Sequence, residues 1–578
     1  MKMTQTGWCG GLLGLLVACG GETDKAGGQD STTEDTREAD WRPELVCPGD
    51  AGCATADGSL RVGAAKVDIT PTCFEDWVDL DDNAEYDRYT EEFRDCGCDR
   101  LCPGDVGYSG PDDGEGDGTF QAVWLAGFQN ARAATGVHDP IWARAIVFEQ
   151  GESRVALVSL DVTGWFNTEV APTRALLSDR GVDLDLLIVA ATHNHEGPDT
   201  FGLWGETESV SGMDPDYNAQ VRAWTADAVE AAIADLREVG EMKLGTLDLT
   251  TRPEGMRNYI NDYRDPQIID PLLTAAQFVD GSGETIAVLA HTSNHPEGIA
   301  DENNLVSSDF PDLLRETIES GSTWPDGSGR DGVGGVAVFV NGTVGGMMTP
   351  LGITVRTPDG RELREYSFEK SDALGQMYGE RYLDALDAAE TVPAPTLAFS
   401  THHFRLPVVN WGFQAAFLTG ILSRETVGWD PSQVIDETNQ PQVDTEMSWL
   451  RVGTLQMLTL PGEAHPELAI GGYDGSMTGD ADIPIISEDN PAPPDLDAAP
   501  AGPYWKDHMP DGVAIFLGLT QDELGYIVPP YNFVLDDRQP WFDEAEGDHY
   551  EETNSLGPDT AVLVSDELER LTAWAQGR

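Results

Sequence analysis

Short apolar runs recur along the chain from about residue 60 onward, separated by polar segments that contain Gly, Pro and Asp. The clearest runs are six to eight residues long and span residues 155–162, 186–192, 286–292, 335–341, 455–460 and 513–518. Runs of this length that are rich in Val, Ile, Leu and Ala are typical of strands buried on both faces. They predict a sheet with no face open to solvent.

Residues 218–238 show a different pattern, in which apolar residues recur at helical spacing. Val221, Ala228, Val229 and Ala232 fall on one side of such a helix. Strands that alternate with helices are typical of layered α/β proteins. We therefore predict an α/β fold with a multi-stranded sheet covered by helices.

Polar residues follow the apolar runs at the points where the predicted strands end. They are His193 and His195 after residues 186–192, His295 after 286–292, Thr349 after 335–341, Glu463 after 455–460 and Tyr526 after 513–518. Ligand sites of open α/β sheets lie beyond the carboxyl ends of the strands. His and Glu are common zinc ligands. A single His after a strand is more often structural, so it is the set that predicts an active site at the C-terminal strand ends.

The first residues of the chain read as an export signal. Lys2 precedes an apolar segment too short to span a bilayer, which ends in "LVACG" at 16–20. Small residues before a Cys resemble a bacterial lipoprotein signal, with residues 1–19 as signal peptide and Cys19 lipidated. We expect a protein of the bacterial cell envelope, anchored at the outer membrane or cell surface. The alternative is an ordinary cleaved signal with an incidental Cys.

After the signal, residues 20–58 are acidic and poor in apolar residues, which predicts a flexible tether before a domain over 59–578. An even number of cysteines remains, namely Cys47, Cys53, Cys73, Cys96, Cys98 and Cys102. In an exported protein this favours three disulfides, with fifteen possible pairings. A Cys-based zinc site is the alternative.

The chain carries 102 acidic and 34 basic residues, a formal charge of −68. Such a polyanion repels nucleic acid and anionic membrane surfaces, so we exclude nucleic acid as a partner. An acidic, cysteine-rich insert at about residues 73–120 contains "DLDDNAEYD" (79–87) and "DDGEGDG" (112–118). Alternating carboxylates in a loop predict either a calcium site or a plain solvated loop.

Read in chain order, further motifs resemble the neutral (non-lysosomal) ceramidase family, zinc-dependent amidases that cleave the N-acyl bond of ceramide. "AATHNHEGP" (190–198) stands where that family has Thr-His-Thr-His-Ser-Gly-Pro, and "NYINDYRDPQIIDPLLTAAQFVD" (258–280) follows its spacing. The other motifs are "VGAAKVDITP" (62–71), "GVHDPIWARAIVF" (136–148), "ALVSLDV" (156–162), "NHPEG" (294–298), "VSSDFPD" (306–312), "GGMMTP" (345–350), "LPGE" (460–463) and "GYIV" (525–528). The resemblance covers roughly residues 60–555, and it is the ordered set that is specific.

The resemblance implies one zinc ion and assigns roles residue by residue. The implied ligands are His193, His295, Glu463 and Tyr526; the implied catalytic residues are His195, His138 and Thr349; the implied substrate-binding residues are Gln129, Arg257, Tyr259 and Tyr550. Zinc lowers the pKa of a bound water and polarises an amide carbonyl. A neighbouring His can carry the proton to the leaving amine. We expect His193 and His195 to face one pocket from an extended segment, since residues two apart there share a face.

The chain departs from the family at three places. Thr349 replaces a Ser, and Tyr259 replaces an Arg that would meet the substrate. The chain also ends about 50 residues after Tyr526, too few for the family's C-terminal β-sandwich domain. We therefore predict a zinc-dependent hydrolase of an N-acyl lipid amide such as ceramide. The alternatives are a hydrolase of another amide or ester and a non-catalytic surface lipoprotein of the same fold.

Overall fold

The structure, a computed structural model, describes residues 41–48 and 58–576. The predicted signal peptide, the lipidation of Cys19 and most of the tether lie outside these residues. Within them, no helix is both long enough and apolar enough to cross a membrane.

The helices and strands alternate along the chain from residue 61 onward. The strands are β1 (Leu45–Cys47), β2 (Arg61–Asp68), β3 (Gly136–Val137), β4 (Trp142–Gln150), β5 (Ser153–Leu160), β6 (Leu186–Ala191), β7 (Arg237–Asp248), β8 (Asn261–Asp262), β9 (Leu272–Asp280), β10 (Thr285–Thr292), β11 (Leu305–Val306), β12 (Gly321–Thr323), β13 (Gly329–Asp331), β14 (Val336–Asn341), β15 (Met348–Thr349), β16 (Val355–Arg356), β17 (Glu362–Leu363), β18 (Glu390–Val392), β19 (Leu397–Pro407), β20 (Gln442–Val452), β21 (Leu455–Thr459), β22 (Glu463–Ala464), β23 (Val513–Leu517) and β24 (Tyr526–Ile527). The α-helices are α1 (Asn167–Asp179), α2 (Pro215–Ala234), α3 (Phe310–Ser320), α4 (Phe368–Asp387), α5 (Trp411–Thr419), α6 (Pro466–Ile470), α7 (Tyr550–Thr553) and α8 (Thr560–Gln576).

Two large sheets carry the fold. The first has nine strands in the order β14-β10-β9-β7-β2-β4-β5-β6, with β18 paired to β7. Its two ends are parallel pairs, β10 with β14 and β5 with β6, and the strands between them are antiparallel. The second has five strands in the order β1-β19-β20-β21-β23.

The side chains of each sheet alternate between two apolar cores, as strand geometry requires. On the inner face, β4 residues Ile146 and Phe148 share a core with Leu450 of β20 and Ile515 of β23. The outer face of the nine-stranded sheet packs against α1 and α2 on one side and α3 and α4 on the other, and α8 covers the five-stranded sheet. The layers are therefore helix, sheet, sheet and helix.

The predicted mixed α/β class is confirmed, and all six predicted apolar strands form. The prediction that helices cover the sheet is correct for one face only, since a second sheet covers the other. A continuous apolar run predicts that a strand is buried on both faces, but it does not show whether a helix or a second sheet covers each face. The predicted helix at 218–238 ends at Ala234, because β7 begins at Arg237.

The acidic insert is held by disulfides and a small aromatic core. Cys73 bonds to Cys98 and Cys96 to Cys102, so two bridges of the predicted framework are present. Cys47 is disulfide-bonded as well, and Cys53 lies outside the described residues. This core comprises Trp77, Tyr86, Phe93 and Phe120 of the insert together with Ala122, Trp124 and Ala133, which follow it.

Carboxylates of Asp79, Asp81 and Glu91 converge within 4.8 Å in the same insert. The two carboxylate oxygens of Asp79 already accept hydrogen bonds from the backbone N–H groups of Asp82, at 2.7 Å, and Ala84, at 2.9 Å. The calcium site stays a prediction.

Candidate metal and substrate site

The side chain of one asparagine forms hydrogen bonds to both of the loops that follow β6 and β10. Asn341, the last residue of β14, donates from Nδ2 to the carbonyls of Thr192 at 3.0 Å and Asn294 at 2.8 Å. Its Oδ1 accepts the N–H of Asn294 at 3.0 Å. Since these two residues directly precede His193 and His295, a single buried amide sets the spacing of the two histidines.

Both histidines are oriented by backbone carbonyls. Nδ1 of His193 lies 2.7 Å from the carbonyl of Thr163, and Nδ1 of His295 lies 2.6 Å from that of Met348. A carbonyl only accepts, so each Nδ1 carries a hydrogen and Nε2 is the nitrogen left to bind a metal. This is the arrangement of metal-binding histidines, whose second nitrogen is usually fixed in this way.

Glu463 faces both free nitrogens. Its Oε2 lies 3.4 Å from Nε2 of His193 and 3.2 Å from Nε2 of His295. Burial opposes ionisation, but the two imidazoles outweigh it and hold the pKa of Glu463 well below its usual range. Burial also opposes protonation of His295, yet Glu297 and Glu463 outweigh it and raise its pKa to about 9.

His195 joins the same cluster. The ligand nitrogens of His193, His195 and His295 lie within 4.8 Å of one another, and all three side chains are buried. The predicted shared pocket is thus present, but the segment is not extended, since His193 has a φ of +66°. The ring of His195 packs directly against Gly127. A Cβ atom at position 127 would lie 2.3 Å from Cγ of His195, so a larger residue there would displace the ring.

A carboxylate that the sequence analysis did not single out supports His195. Oε1 of Glu297 lies 3.0 Å from Nδ1 of His195, outside hydrogen-bonding alignment, so the contact is electrostatic. Thr349 donates its hydroxyl to Oε2 of the same carboxylate. A signal was available, because Glu297 follows His295 by two residues in the quoted motif "NHPEG". Carboxylates near ligand histidines often orient them.

An apolar cavity of about 90 Å³ opens beside the histidines. His193, His195 and Glu463 line one part of it together with Glu523. The remaining walls are mainly aromatic and aliphatic, formed by Phe166, Phe201, Leu203, Trp204, Phe413, Phe417, Leu422, Leu524 and Leu556. Apolar walls with a few convergent polar groups are typical of small-molecule sites.

Two tyrosines also line this cavity. Tyr526 stands opposite Glu463 in the parallel pair of β24 and β22, and its hydroxyl lies 3.7 Å from Sδ of Met347. The ring of Tyr550 is 6.0 Å from that of Tyr526. Burial, followed by the charge of Glu463, raises the pKa of both phenols, which favours the protonated form.

The other four predicted residues are not among those lining the cavity. His138 is exposed, stacks on Phe368 and lies 2.9 Å from Asp139. Gln129 donates to the carbonyl of Asp301 at 3.1 Å. Both side chains thus have contacts of their own, and neither lines the cavity.

Arg257 and Tyr259 are also engaged elsewhere. Arg257 donates to the carbonyl of Thr478 at 2.9 Å, and the buried Tyr259 donates its hydroxyl to Glu254 at 2.7 Å. The family resemblance assigned both residues to the substrate site, and a position along a motif does not specify where a side chain points. Their roles in substrate binding remain predictions.

The fold and the site together define a mixed α/β protein with a candidate metal centre of three imidazoles and a carboxylate beside an apolar cavity. Comparison with known proteins finds similarity to one enzyme family. The chain is 29% identical over 212 residues to the neutral ceramidase of Pseudomonas aeruginosa. That alignment covers 34% of this chain and 31% of the ceramidase, so it spans about a third of the relative's length.

The same family appears among solved structures. The crystal structure of neutral ceramidase from Pseudomonas aeruginosa matches with a TM-score of 0.57 at 16% identity, covering 90% of this chain and 75% of that chain. A ceramidase complexed with C2 gives a TM-score of 0.57 at 17% identity, covering 90% and 76%. No family model matches the chain. The resemblance to the neutral ceramidases is therefore confirmed, by sequence over part of the chain and by fold over most of it.

Proposed function

We propose that the protein is a zinc-dependent amidase that hydrolyses the N-acyl bond of a lipid amide such as ceramide, giving a fatty acid and an amine. The observation that carries the proposal is the convergence of His193, His195, His295 and Glu463 beside an apolar cavity. The likeness to neutral ceramidases supports the choice of an amide substrate.

The residues present suit zinc. Two imidazoles whose Nδ1 atoms face backbone carbonyls, so that Nε2 is the atom left for a metal, and one ionised carboxylate form a preferred zinc ligand set. His195 or Tyr526 would complete the set, and Tyr526 would do so only after losing a proton that burial holds in place. Zinc bound there would lower the pKa of a water toward ~7 and polarise the amide carbonyl.

The protein's own groups account for the proton transfers. Burial, then the neighbouring His193 and His295, lowers the pKa of His195 well below its usual value, so its ring is neutral and can accept a proton. Glu297, itself held by Thr349, stabilises the imidazolium that forms. The proton then passes to the leaving nitrogen, a general acid–base role for a histidine.

Two further features suit a lipid amide. The protonated phenol of Tyr526 can donate a hydrogen bond to an oxygen that gains negative charge during attack. The aromatic walls accept an alkyl chain, and each methylene removed from water contributes roughly 0.8 kcal/mol. The exclusion of water from the cavity strengthens the electrostatic interactions inside it.

Hydrolysis of another amide or an ester is the second candidate. Tyr259, which stands where the family has an arginine that meets the substrate, is fully buried and bonded to Glu254. A substrate contact made by that arginine is therefore missing here, which supports a different headgroup.

A substrate screen tests the proposal. Protein loaded with one equivalent of zinc is incubated with N-acyl sphingosines, peptides and simple esters, and released acid is measured. Glu463→Gln is the matched control, because it keeps the shape of the side chain and removes its charge. Release of fatty acid by the wild type and not by the control supports the amidase. Equal rates for both, or no turnover of any substrate, overturn it.

We also propose that Cys19 is lipidated and anchors the protein in the bacterial cell envelope. The signal-like sequence before it supports this, and the acidic body would not bind anionic lipid by itself. Cys19→Ser should move the protein from the membrane fraction to the soluble fraction. A variant that stays with membranes at high salt would contradict the proposal.

A further inference from the structure

Helix α5 carries no charged residue although it belongs to a highly charged chain. Charged residues make up 24% of the sequence, yet none occurs between Arg405 and Arg424. The burial of side chains along the helix is also the reverse of the usual pattern. Its buried residue is the polar Gln414, whose Nε2 donates to the carbonyl of Val408 at 2.8 Å. A surface helix normally buries its apolar side chains and exposes its polar ones, so α5 is suited to contact with something other than water.

The two sides of α5 have different surroundings. Phe413 and Phe417 line the cavity and pack into the same apolar cluster as Phe201. Trp411 and Leu418 are nearly two helical turns apart and therefore share the other side of the helix. They are 56% and 54% exposed, and neither lines the cavity. One helix thus forms a wall of the cavity and, on its other side, an apolar surface in contact with solvent.

A third exposed residue extends this surface. Phe542 is 40% exposed and lies beside the first turn of α5, since a Cβ atom at Gly412 would lie 3.9 Å from its Cε1 atom. The side chains of Trp411, Leu418 and Phe542 form what we call the α5 patch. Large apolar side chains exposed on one surface, beside a ligand cavity, are typical of interaction sites.

We propose that the α5 patch docks onto a lipid bilayer of uncharged or zwitterionic lipids and so holds the cavity wall against the membrane that carries the substrate. The proposal rests on the proposed amidase function and adds a membrane-binding surface to the same site. Lipid is favoured because the patch and the cavity wall are two sides of one apolar helix. A second copy of the chain is disfavoured, because the charge of −68 repels it, as it repels anionic lipid.

The proposed lipid anchor can reach the same bilayer. The ring of Trp41 lies 5.0 Å from that of His402 in β19. The chain from His402 to Trp411, where α5 begins, spans at most ~30 Å, and the chain from Cys19 to Trp41 at most ~75 Å. A few exposed apolar side chains bind a membrane weakly and reversibly. The anchor would therefore retain the protein at the membrane, and the patch would orient it.

Vesicle binding without the anchor tests the patch. The chain from Gly20 to Arg578 keeps every described residue and lacks the predicted signal and lipid. We expect it to bind phosphatidylcholine vesicles at millimolar lipid in a sedimentation assay. Trp411→Ser and Leu418→Ser should each lower the partition coefficient by roughly 10-fold or more, because less apolar surface leaves water. Leu80→Ser is the matched control, since Leu80 is 67% exposed in the acidic insert and should leave binding unchanged.

Hydrolysis by zinc-loaded protein links the patch to the site. Turnover of an N-acyl sphingosine embedded in phosphatidylcholine vesicles should fall with binding in Trp411→Ser. Turnover of a short-chain N-acyl sphingosine in free solution should stay the same, because Trp411 does not line the cavity. Absence of turnover of either substrate, with vesicle binding that depends on the patch, would overturn the amidase function and leave the docking surface standing.

Three results would overturn the docking surface. One is equal vesicle binding by the wild type and both patch variants. Another is binding that requires phosphatidylglycerol in the vesicles, which would make charge the cause of binding. The third is the absence of vesicle binding together with a dimer, seen by sedimentation velocity, that Trp411→Ser dissociates. That result would make a second copy of the chain the occupant of the patch.

Discussion

Glu463 and Glu467 are four residues apart and both are buried, yet their partners are opposite in kind. Glu467 accepts two hydrogen bonds from the guanidinium of Arg264, one of them at 2.8 Å. Glu463 faces the Nε2 atoms of His193 and His295. No lysine or arginine forms a salt bridge with Glu463 within the part of the chain that the structure describes.

The difference shows which buried carboxylate needs a further cation. Burial opposes ionisation of Glu467, but Arg264 outweighs it and lowers the pKa to about 2, so the pair is complete. Glu463 has as partners two groups that are neutral unless they take up protons. A metal ion or a proton must supply the positive charge that Glu463 needs. Glu467 is therefore a structural carboxylate, and Glu463 is suited to binding a cation.

The largest effect is expected from removing the ligands around Glu463. His193→Ala and Glu463→Gln should each abolish stoichiometric zinc binding and lower hydrolysis by roughly 10³-fold or more, because the activated water is lost. Metal analysis and fatty-acid release measure the two effects, and circular dichroism checks the fold. Full zinc content in either variant would contradict this assignment.

Arg264→Met should instead destabilise the protein by about 3–5 kcal/mol, since it leaves Glu467 buried without its partner. Urea unfolding of the metal-free protein measures this loss. Glu463→Leu should lower the free energy of unfolding by less, because the imidazoles that face Glu463 can release protons whereas a guanidinium cannot. The comparison fails if the two variants are equally destabilised, or if adding Glu467→Leu to Arg264→Met restores no stability.

His195→Gln separates two roles within the histidine cluster. If His195 handles protons, the variant should keep near-normal zinc and lose kcat by roughly 100-fold. A parallel loss of zinc and activity would make His195 a ligand instead, which the convergence of the three rings also permits. Zinc content and kcat measured on the same preparation distinguish the outcomes.

The smallest effect concerns a third buried carboxylate, Glu446, which pairs with His403 at 3.1 Å. A hydrogen bond to Glu446 is the largest factor that raises the pKa of His403, to about 9. The stabilisation should be complete below a pH of ~6.5 and lost as the pH rises through 9. Because His403 is 42% exposed, we expect less than ~1 kcal/mol.

Urea midpoints at pH 6 and pH 10 test this dependence. The loss on raising the pH should be larger in the wild type than in His403→Gln, which lacks the titrating ring. Identical losses in the two proteins would show that His403 contributes nothing to the pH dependence of stability.

Several features followed from the sequence because they depend on neighbours along the chain. The six apolar runs became strands, since their length and branching are local properties. His193, His295 and Glu463 were found by their places after these runs. The ordered motifs identified the ceramidase resemblance that both comparisons confirm.

Other features required the folded chain. The second sheet replaced the expected helices on one face, because burial of a strand does not reveal what buries it. Glu297 and Glu523 were missed, because the direction of a side chain is not a property of the local sequence. The roles of His138 and Tyr259 stay predictions.

The two glutamates mark the limit most clearly. The sequence by itself determined that Glu463 and Glu467 lie in one short segment after a buried strand, and it could not distinguish their roles. Tertiary structure decided them, because the partners come from His295, 168 residues away, and Arg264, 203 residues away. The charge state of a buried carboxylate depends on the groups within a few ångströms, and those are set by the packing of distant segments.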